Sequence, residues 1–176
     1  MKKPRVASIG TLAVDYFCFL PKLLTEDGKT MAKGYQVHPG GVAGNVISQL
    51  SALDIYSGWF GKIGDDEAGR ILIEDFEKHG ASLSNIEVIK GKHSMFTWIT
   101  SDDLGDRTII MFPNVLVELT VEEVRTKHRD LIENAEILMA EASVLPLPPV
   151  IEAMKIARDS NTKIILDMDI TPKELE

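Results

Sequence analysis

The sequence predicts an α/β fold with a mostly parallel sheet, interrupted by a small all-β insertion. Three observations predict it. Short apolar runs alternate with helix-length amphipathic segments over much of the 176 residues, the pattern of a parallel sheet covered by helices. Two pairs of β-rich runs, within 16–38 and 94–113, break that alternation. A glycine-rich connection, His38-Pro-Gly-Gly-Val-Ala-Gly-Asn45, stands where the first helix begins.

Taken in order, Arg5 to Gly10 is a short β-type run. Residues 16–20 and 30–37 read as extended segments around the turn-prone Thr25-Glu-Asp-Gly28, and the first helix comes only afterwards, at about 41–53. A strand-helix-strand unit does not need those two strands, so they are expected to leave the main sheet. A second core strand is expected at 55–61. It is followed by a helix capped by Asp65 or Asp66, with Ala68, Leu72, Ile73 and Phe76 on its apolar face and Gly80 at its end. Ser94 to Thr100 and Arg107 to Phe112 flank the polar connection Asp102-Asp-Leu-Gly-Asp106, which suits a hairpin. Helix 120–134, strand 136–140, helix 147–160 and strand 163–168 restore the alternation. The last of these reads as an inner strand with one edge unprotected.

The formal net charge of −8 argues against nucleic acid or an anionic membrane as the main partner, since both favour a basic patch. No apolar run approaches the roughly 20 residues needed to span a bilayer. The basic start, Met-Lys-Lys-Pro-Arg, is followed by an apolar stretch too short for a signal peptide. With one cysteine, Cys18, no intramolecular disulfide can form; a reducing compartment follows, and the cytoplasm is the expected location.

The chemistry concentrates at 38–69. Gly40 and Gly41 let a backbone come close to a small ligand, and Asn45, on the first turn of the helix, offers both a donor and an acceptor, a combination suited to sugar hydroxyls. A turn forced by Pro39 and an ordinary first-turn asparagine are the competing structural explanation. Gly61-Lys-Ile-Gly-Asp-Asp-Glu-Ala-Gly69 is read as structural, its glycines shaping a turn before the capped helix.

This pair of segments resembles the first signature of the ribokinase (PfkB) family of carbohydrate and nucleoside kinases, in which a Gly-Gly turn, an Asn and a later Gly-x-x-Gly-x-Asp-x-x-Gly stand at this separation. Ile47 and Asp54 depart from the pattern, where small residues are usual. The resemblance runs from Gly10 to about Asp169, over nearly the whole chain but only the front part of such a kinase. It implies a three-layer ribokinase-like sandwich, residues 1–176 forming a partial domain with its C-terminal portion missing, and the β-rich segments 16–38 and 94–113 forming a lid over the substrate.

The resemblance also implies a site. Gly10-Thr-Leu-Ala-Val-Asp15 matches the family segment whose acidic residue bonds sugar hydroxyls, which makes Asp15 the leading substrate contact beside Gly40, Gly41 and Asn45. An ionised carboxylate only accepts hydrogen bonds, so it orients a polyol without chemistry of its own; a plain surface-loop Asp is the alternative. Glu141, after strand 136–140, takes the place of an acidic residue the family often has near the sugar, and the carboxyl ends of strands are where ligands gather in open α/β sheets. The parent enzyme would use ATP and Mg²⁺ to phosphorylate a sugar, sugar acid or nucleoside. The late Gly-Ala-Gly-Asp motif that supplies the general base, the Asn-x-x-Glu element of the magnesium site and the nucleotide pocket do not occur in this sequence, so the chain alone is expected to bind neither ATP nor metal. Lids of this kind often pair in dimers within the family, so the resemblance allows a homodimer through the lid, with the oligomeric state left open by the sequence. The alternative is a non-catalytic carbohydrate-binding or regulatory protein that kept only the sugar half.

Other chemistries fit less well. Ile164-Ile-Leu-Asp-Met-Asp-Ile-Thr171 resembles the first motif of haloacid-dehalogenase-type phosphatases, with Asp167 as nucleophile and Asp169 as acid/base, but it stands late and lacks the downstream lysine and carboxylates. In the kinase comparison Asp169 replaces the Asn of an Asp-x-Asn. Thr11-Leu-Ala-Val after the first strand is no dinucleotide fingerprint, and no phosphate-binding Gly-x-x-x-x-Gly-Lys loop occurs. His38, His79, His93 and His128 lack ligand spacing for zinc. Phe96 and Trp98 lie in the lid segment, where packing or dimer contact is preferred over covering a ligand.

Overall fold

The computed structural model describes residues 4–169. Four parallel strands make the main sheet: β1 (Val6–Ile9), β4 (Ser57–Trp59), β9 (Ile137–Ala142) and β10 (Lys163–Met168), in the order β10-β9-β1-β4. Helix α1 (Val42–Ala52) covers the face that carries Val6, Ile137 and Met139, and α2 (Glu67–His79) packs beside it. Helix α5 (Leu147–Asp159) covers the opposite face, so β9 is buried on both sides and the molecule has three layers. The alternation of apolar runs is legible for this reason.

A second sheet stands apart from the first, in the order β3-β2-β7-β8. It comprises β2 (Ala13–Phe19), β3 (Gly34–Gly40), β7 (Phe96–Ser101) and β8 (Arg107–Phe112). The two expected β-rich pairs thus do leave the main sheet and join one another, β2 running parallel to β7 with Asp15 opposite Thr97. The turn at 102–106 closes β7 to β8 through Asp102 N–H to Asp106 O (3.0 Å). β3 begins later than expected and continues through Pro39 to Gly40. Proline is tolerated there because β3 is an outer strand that, among the described residues, pairs only with β2.

Three expectations are corrected. The single strand at 55–61 is two strands: at Gly61 (φ +151°) the chain turns, a Cβ there would strike the Trp59 ring, and β5 (Gly61–Gly64) leaves to pair with β6 (Ile86–Ile89). Gly61-Lys-Ile-Gly64 is therefore strand rather than turn, and Asp66, accepting from Gly69 N–H at 2.9 Å, is the cap. The helix at 120–134 is likewise two, α3 (Val121–Thr126) and α4 (Arg129–Asn134), parted where His128 turns inward. Its ring is 2% exposed and lies 5.0 Å from that of Phe60, so His128 belongs to the core. Finally, the strand expected at 136–140 runs on to Ala142, so Glu141 lies on β9 and not after it.

Strand β10 pairs only with β9 among the described residues, and Ile165, Leu166 and Met168 are exposed on it, which is the unprotected edge expected of this strand. Thr171 and the basic first three residues lie outside the described residues. Among the described residues no helix is long and apolar enough to cross a membrane.

The start of α3 yields two predictions. Thr120 and Glu123 form a reciprocal capping box, so Thr120→Ala is expected to cost about 1 kcal/mol, read as a lower urea midpoint at constant slope. Hydrogen bonds from Lys62, Thr120 and Lys127 outweigh burial and hold the Glu123 carboxyl at about 2, below the usual 4.5. A depressed carboxyl contributes stability above its unfolded pKa and loses it as pH falls through the folded value. Glu123→Gln should therefore flatten the loss of stability between about pH 4.5 and 2, measured by urea titration across that range.

Candidate substrate site

The site is assembled at the carboxyl end of β1. There the chain turns through Gly10 and Thr11 and enters the second sheet at Ala13. Glu141, one of the least exposed residues at 1%, fixes this turn from β9: the Thr11 N–H donates to one oxygen at 2.7 Å and the Thr11 hydroxyl reaches both, at 2.8 and 3.0 Å. A Cβ at Gly10 would overlap the carboxylate. The Thr11 hydroxyl in turn accepts from Val42 N–H (2.9 Å), and its carbonyl accepts from Gly44 N–H (3.1 Å). One carboxylate thereby holds the N-terminus of α1 against the end of β1.

Gly41 precedes α1 with φ +83°, a left-handed conformation that penalises a side chain, and a Cβ there would lie 2.5 Å from the Thr11 carbonyl oxygen. The glycine is needed for the turn itself, and its bare Cα leaves the cleft open. Asn45 sits one turn into α1, exposed, with its backbone N–H on Gly41 O (2.9 Å). Asp15, on β2, is half-buried. Desolvation raises its pKa above the ordinary 3.8, against the hydrogen bond from Thr97 and the nearby His38, which lower it.

Asp15, Gly41, Asn45 and Glu141 converge on one cleft of about 440 Å³, which runs between the N-terminus of α1 and the inner face of the second sheet. Four of the five residues expected at the site therefore share its wall. Gly40 stands behind it: a Cβ there would overlap the Asp15 carboxylate, so this glycine makes room for Asp15 and does not face the cleft. Glu141 reaches the wall, but its oxygens are engaged by Thr11. Burial raises its pKa above 4.5 despite those bonds, and Asp167 pushes it the same way. A raised carboxyl gives stability below its unfolded pKa that is lost as pH rises through the folded value, so the burial of Glu141 disfavours the folded state as the carboxyl ionises, while the bonds from Thr11 offset part of that loss.

Sequence reasoning missed further residues of the wall, among them Thr11, Thr97, Ile99, Arg107, Ile109 and Met111. Strand alternation links the last five, but only the register of β2, β7 and β8 puts them on the face that carries Asp15. Phe96 and Trp98 occupy the other face. Phe96 stacks on Phe112 and meets Tyr16 edge-on, while Trp98 stacks on Tyr16, so they pack and do not cover the cleft. Asp169 lines the cleft mouth, whereas Asp167 borders a separate cavity beneath α1, which denies the two carboxylates the shared site a phosphatase would need.

A doubly covered parallel sheet beside a second, four-stranded sheet that walls a cleft defines an α/β fold of the ribokinase type. The chain belongs to the pfkB family of carbohydrate kinases, whose description matches residues 3–175. It is 26% identical over 176 residues to 5-dehydro-2-deoxygluconokinase of Clostridium perfringens, covering 96% of this chain and 50% of that protein. It is also 26% identical over 169 residues to a bifunctional ribokinase/ribose-5-phosphate isomerase A of Fructilactobacillus sanfranciscensis, covering 95% and 30%. The ribokinase of Arabidopsis thaliana, solved with ribose and ATP, superposes with a TM-score of 0.84 at 18% identity, over 97% of this chain and 55% of that one. The chain thus spans about half the length of the first of these relatives.

Proposed function

We propose that this chain is the substrate-holding part of an ATP-dependent sugar kinase, presenting a hydroxyl of a sugar, sugar acid or nucleoside for phosphorylation. The observation that carries this reading is the convergence of Asp15, Gly41 and Asn45 on one cleft. Asp15 accepts hydrogen bonds from substrate hydroxyls, Asn45 donates and accepts, and Gly41 lets the ring approach the backbone. Glu141 acts through Thr11, holding the α1 N-terminus in position. The second sheet serves as the lid, its face carrying Thr97, Ile99, Ile109 and Met111 keeping water from the transfer. Its other face exposes Tyr35, Trp98 and Ile110, and in this reading meets a second copy in a homodimer.

Among the described residues the cleft wall holds one cation and three carboxylates, a set that fits a polyol and not a triphosphate. ATP with Mg²⁺ would supply the phosphoryl group, held by residues other than these, as would be the general base. Orientation of the acceptor is the contribution of this half, and by itself such positioning can account for about 7–11 kcal/mol of a barrier. The chain alone is accordingly expected to bind without turnover.

Calorimetric titration of the 176-residue chain with pentoses, hexoses, sugar acids and ribonucleosides, and separately with Mg-ATP, tests the reading. Heat from at least one polyol class and none from the nucleotide supports it; nucleotide binding without any polyol binding overturns it. The intact mass of the product of the native gene then distinguishes a piece of a kinase, which would be substantially heavier, from a binding protein of this length.

A further inference from the structure

The cleft carries a charge that hydroxyl recognition does not use. Arg107 opens β8, the outer strand of the second sheet. Side chains alternate across a strand, and Arg107, Ile109 and Met111 fall on the cleft face, in line with Asp15, Thr97 and Ile99. Among the described residues Arg107 is the single cation on that wall, against Asp15, Glu141 and Asp169.

Arg107 makes no ion pair or hydrogen bond with any described residue. Partners were close at hand, since the turn before it carries Asp102, Asp103 and Asp106. Asp103 instead pairs with Lys33 (2.5 Å), and Asp102 accepts the backbone N–H groups of Leu23, Leu104 and Asp106 at 3.3, 2.9 and 3.1 Å. A charged residue on an outer strand also discourages edge-to-edge pairing. That role needs only a charge on the strand, and is met equally by a side chain on the opposite face; it does not account for an unpaired guanidinium on the wall of a cleft.

Position adds a direction. Met111 stands opposite Thr97, and Thr97 opposite Asp15, while Arg107 lies four positions from Met111 along β8, about 13 Å at the usual rise. Asp15 and Arg107 therefore mark opposite ends of the cleft. A negative group placed near Asp15 would be repelled by it, and the same group under β8 meets a guanidinium whose planar fork matches the oxygens of a carboxylate or a phosphate. A neutral polyol leaves that fork without a ligand.

We infer that Arg107 is the anion-binding, specificity-determining residue of the cleft, and that the substrate is a polyol bearing a carboxylate or phosphate, with its hydroxyls at Asp15 and its acid group beneath β8. This rests on the reading of the cleft as a sugar site.

The test is calorimetry on the 176-residue chain and its Arg107→Gln variant, using a panel of aldonates and sugar phosphates, each set beside its neutral parent sugar. Arg107 is exposed on an outer strand, so the substitution is expected to leave the fold intact, checked by circular dichroism. The unsubstituted chain should bind one anionic class about 10- to 100-fold more tightly than the neutral parents, the range of a charge-assisted hydrogen bond, and Arg107→Gln should bring that ratio close to one. Preference for aldonates identifies a sugar acid, and preference for the phosphates a sugar phosphate. Equal affinity for anionic and neutral members, or a preference that survives Arg107→Gln, overturns the inference while leaving the sugar site standing. Binding of no polyol at all overturns both.

Discussion

Replacing Asp15 with alanine is expected to weaken polyol binding by about 100-fold while leaving the folded state in place. A carboxylate that accepts hydroxyl hydrogen bonds contributes about 1.5–3 kcal/mol for each, and the upper end of one bond or the lower end of two corresponds to that factor. Stability should not suffer, because Asp15 is half-buried with its pKa raised by desolvation, so the ionised group opposes folding at neutral pH. Calorimetry beside a urea titration reads both effects. Unchanged affinity would remove Asp15 from the site, and a large loss of stability would make it a structural residue of β2. Asp15→Asn should recover part of the affinity, since the amide oxygen still accepts but carries no charge.

Gly41→Ala is expected to harm the fold and the site together. The left-handed conformation at φ +83° carries a penalty of about 1–3 kcal/mol for a residue with a Cβ, and the methyl group would also collide with the Thr11 backbone. The chain can relieve this only by moving the start of α1 away from Thr11, which breaks the bonds from Val42 and Gly44 and carries Asn45 with it. The expected result is a loss of about 3 kcal/mol or more in unfolding free energy together with lost polyol affinity, measured by urea titration and calorimetry. Gly40→Ala should differ in kind: its methyl displaces the Asp15 carboxylate and not the helix, so affinity falls more than stability does.

These contrasts show what one-dimensional reading can and cannot reach. The Gly-Gly turn, Asn45 and Asp15 were legible because each is local, a backbone conformation or a side chain at a fixed step from a strand or helix end. Helix α2 was legible for the same reason, with Asp66 at its start, Gly80 at its end and Leu72 and Phe76 one turn apart. Glu141 was named as a candidate beyond strand 136–140, and it lies within β9 on the wall of the cleft. Its burial depends on the amide and hydroxyl of Thr11, 130 positions earlier, and no local pattern records that partnership. The place of His128 in the core is likewise set by a distant partner, Phe60, and no local pattern announced it. Strand β6 escaped because Ile86-Glu-Val-Ile89 is short and is held by a partner, β5, that was itself read as a turn. Arg107 was invisible as a site residue: its face is defined by a register that runs through three strands.

The central claim is that the cleft between α1 and the second sheet holds the polyol. Backbone amide chemical shifts of the isotopically labelled 176-residue chain, followed during titration with the tightest-binding polyol, test it most directly. The account predicts perturbations concentrated at Thr11, Asp15, Gly41, Asn45 and Thr97, and their loss in the Asp15→Ala chain. Perturbations centred instead on the apolar cavity beneath α1, at Val46, Leu50 and Ile165, or on the outer face around Tyr35 and Trp98, would contradict it.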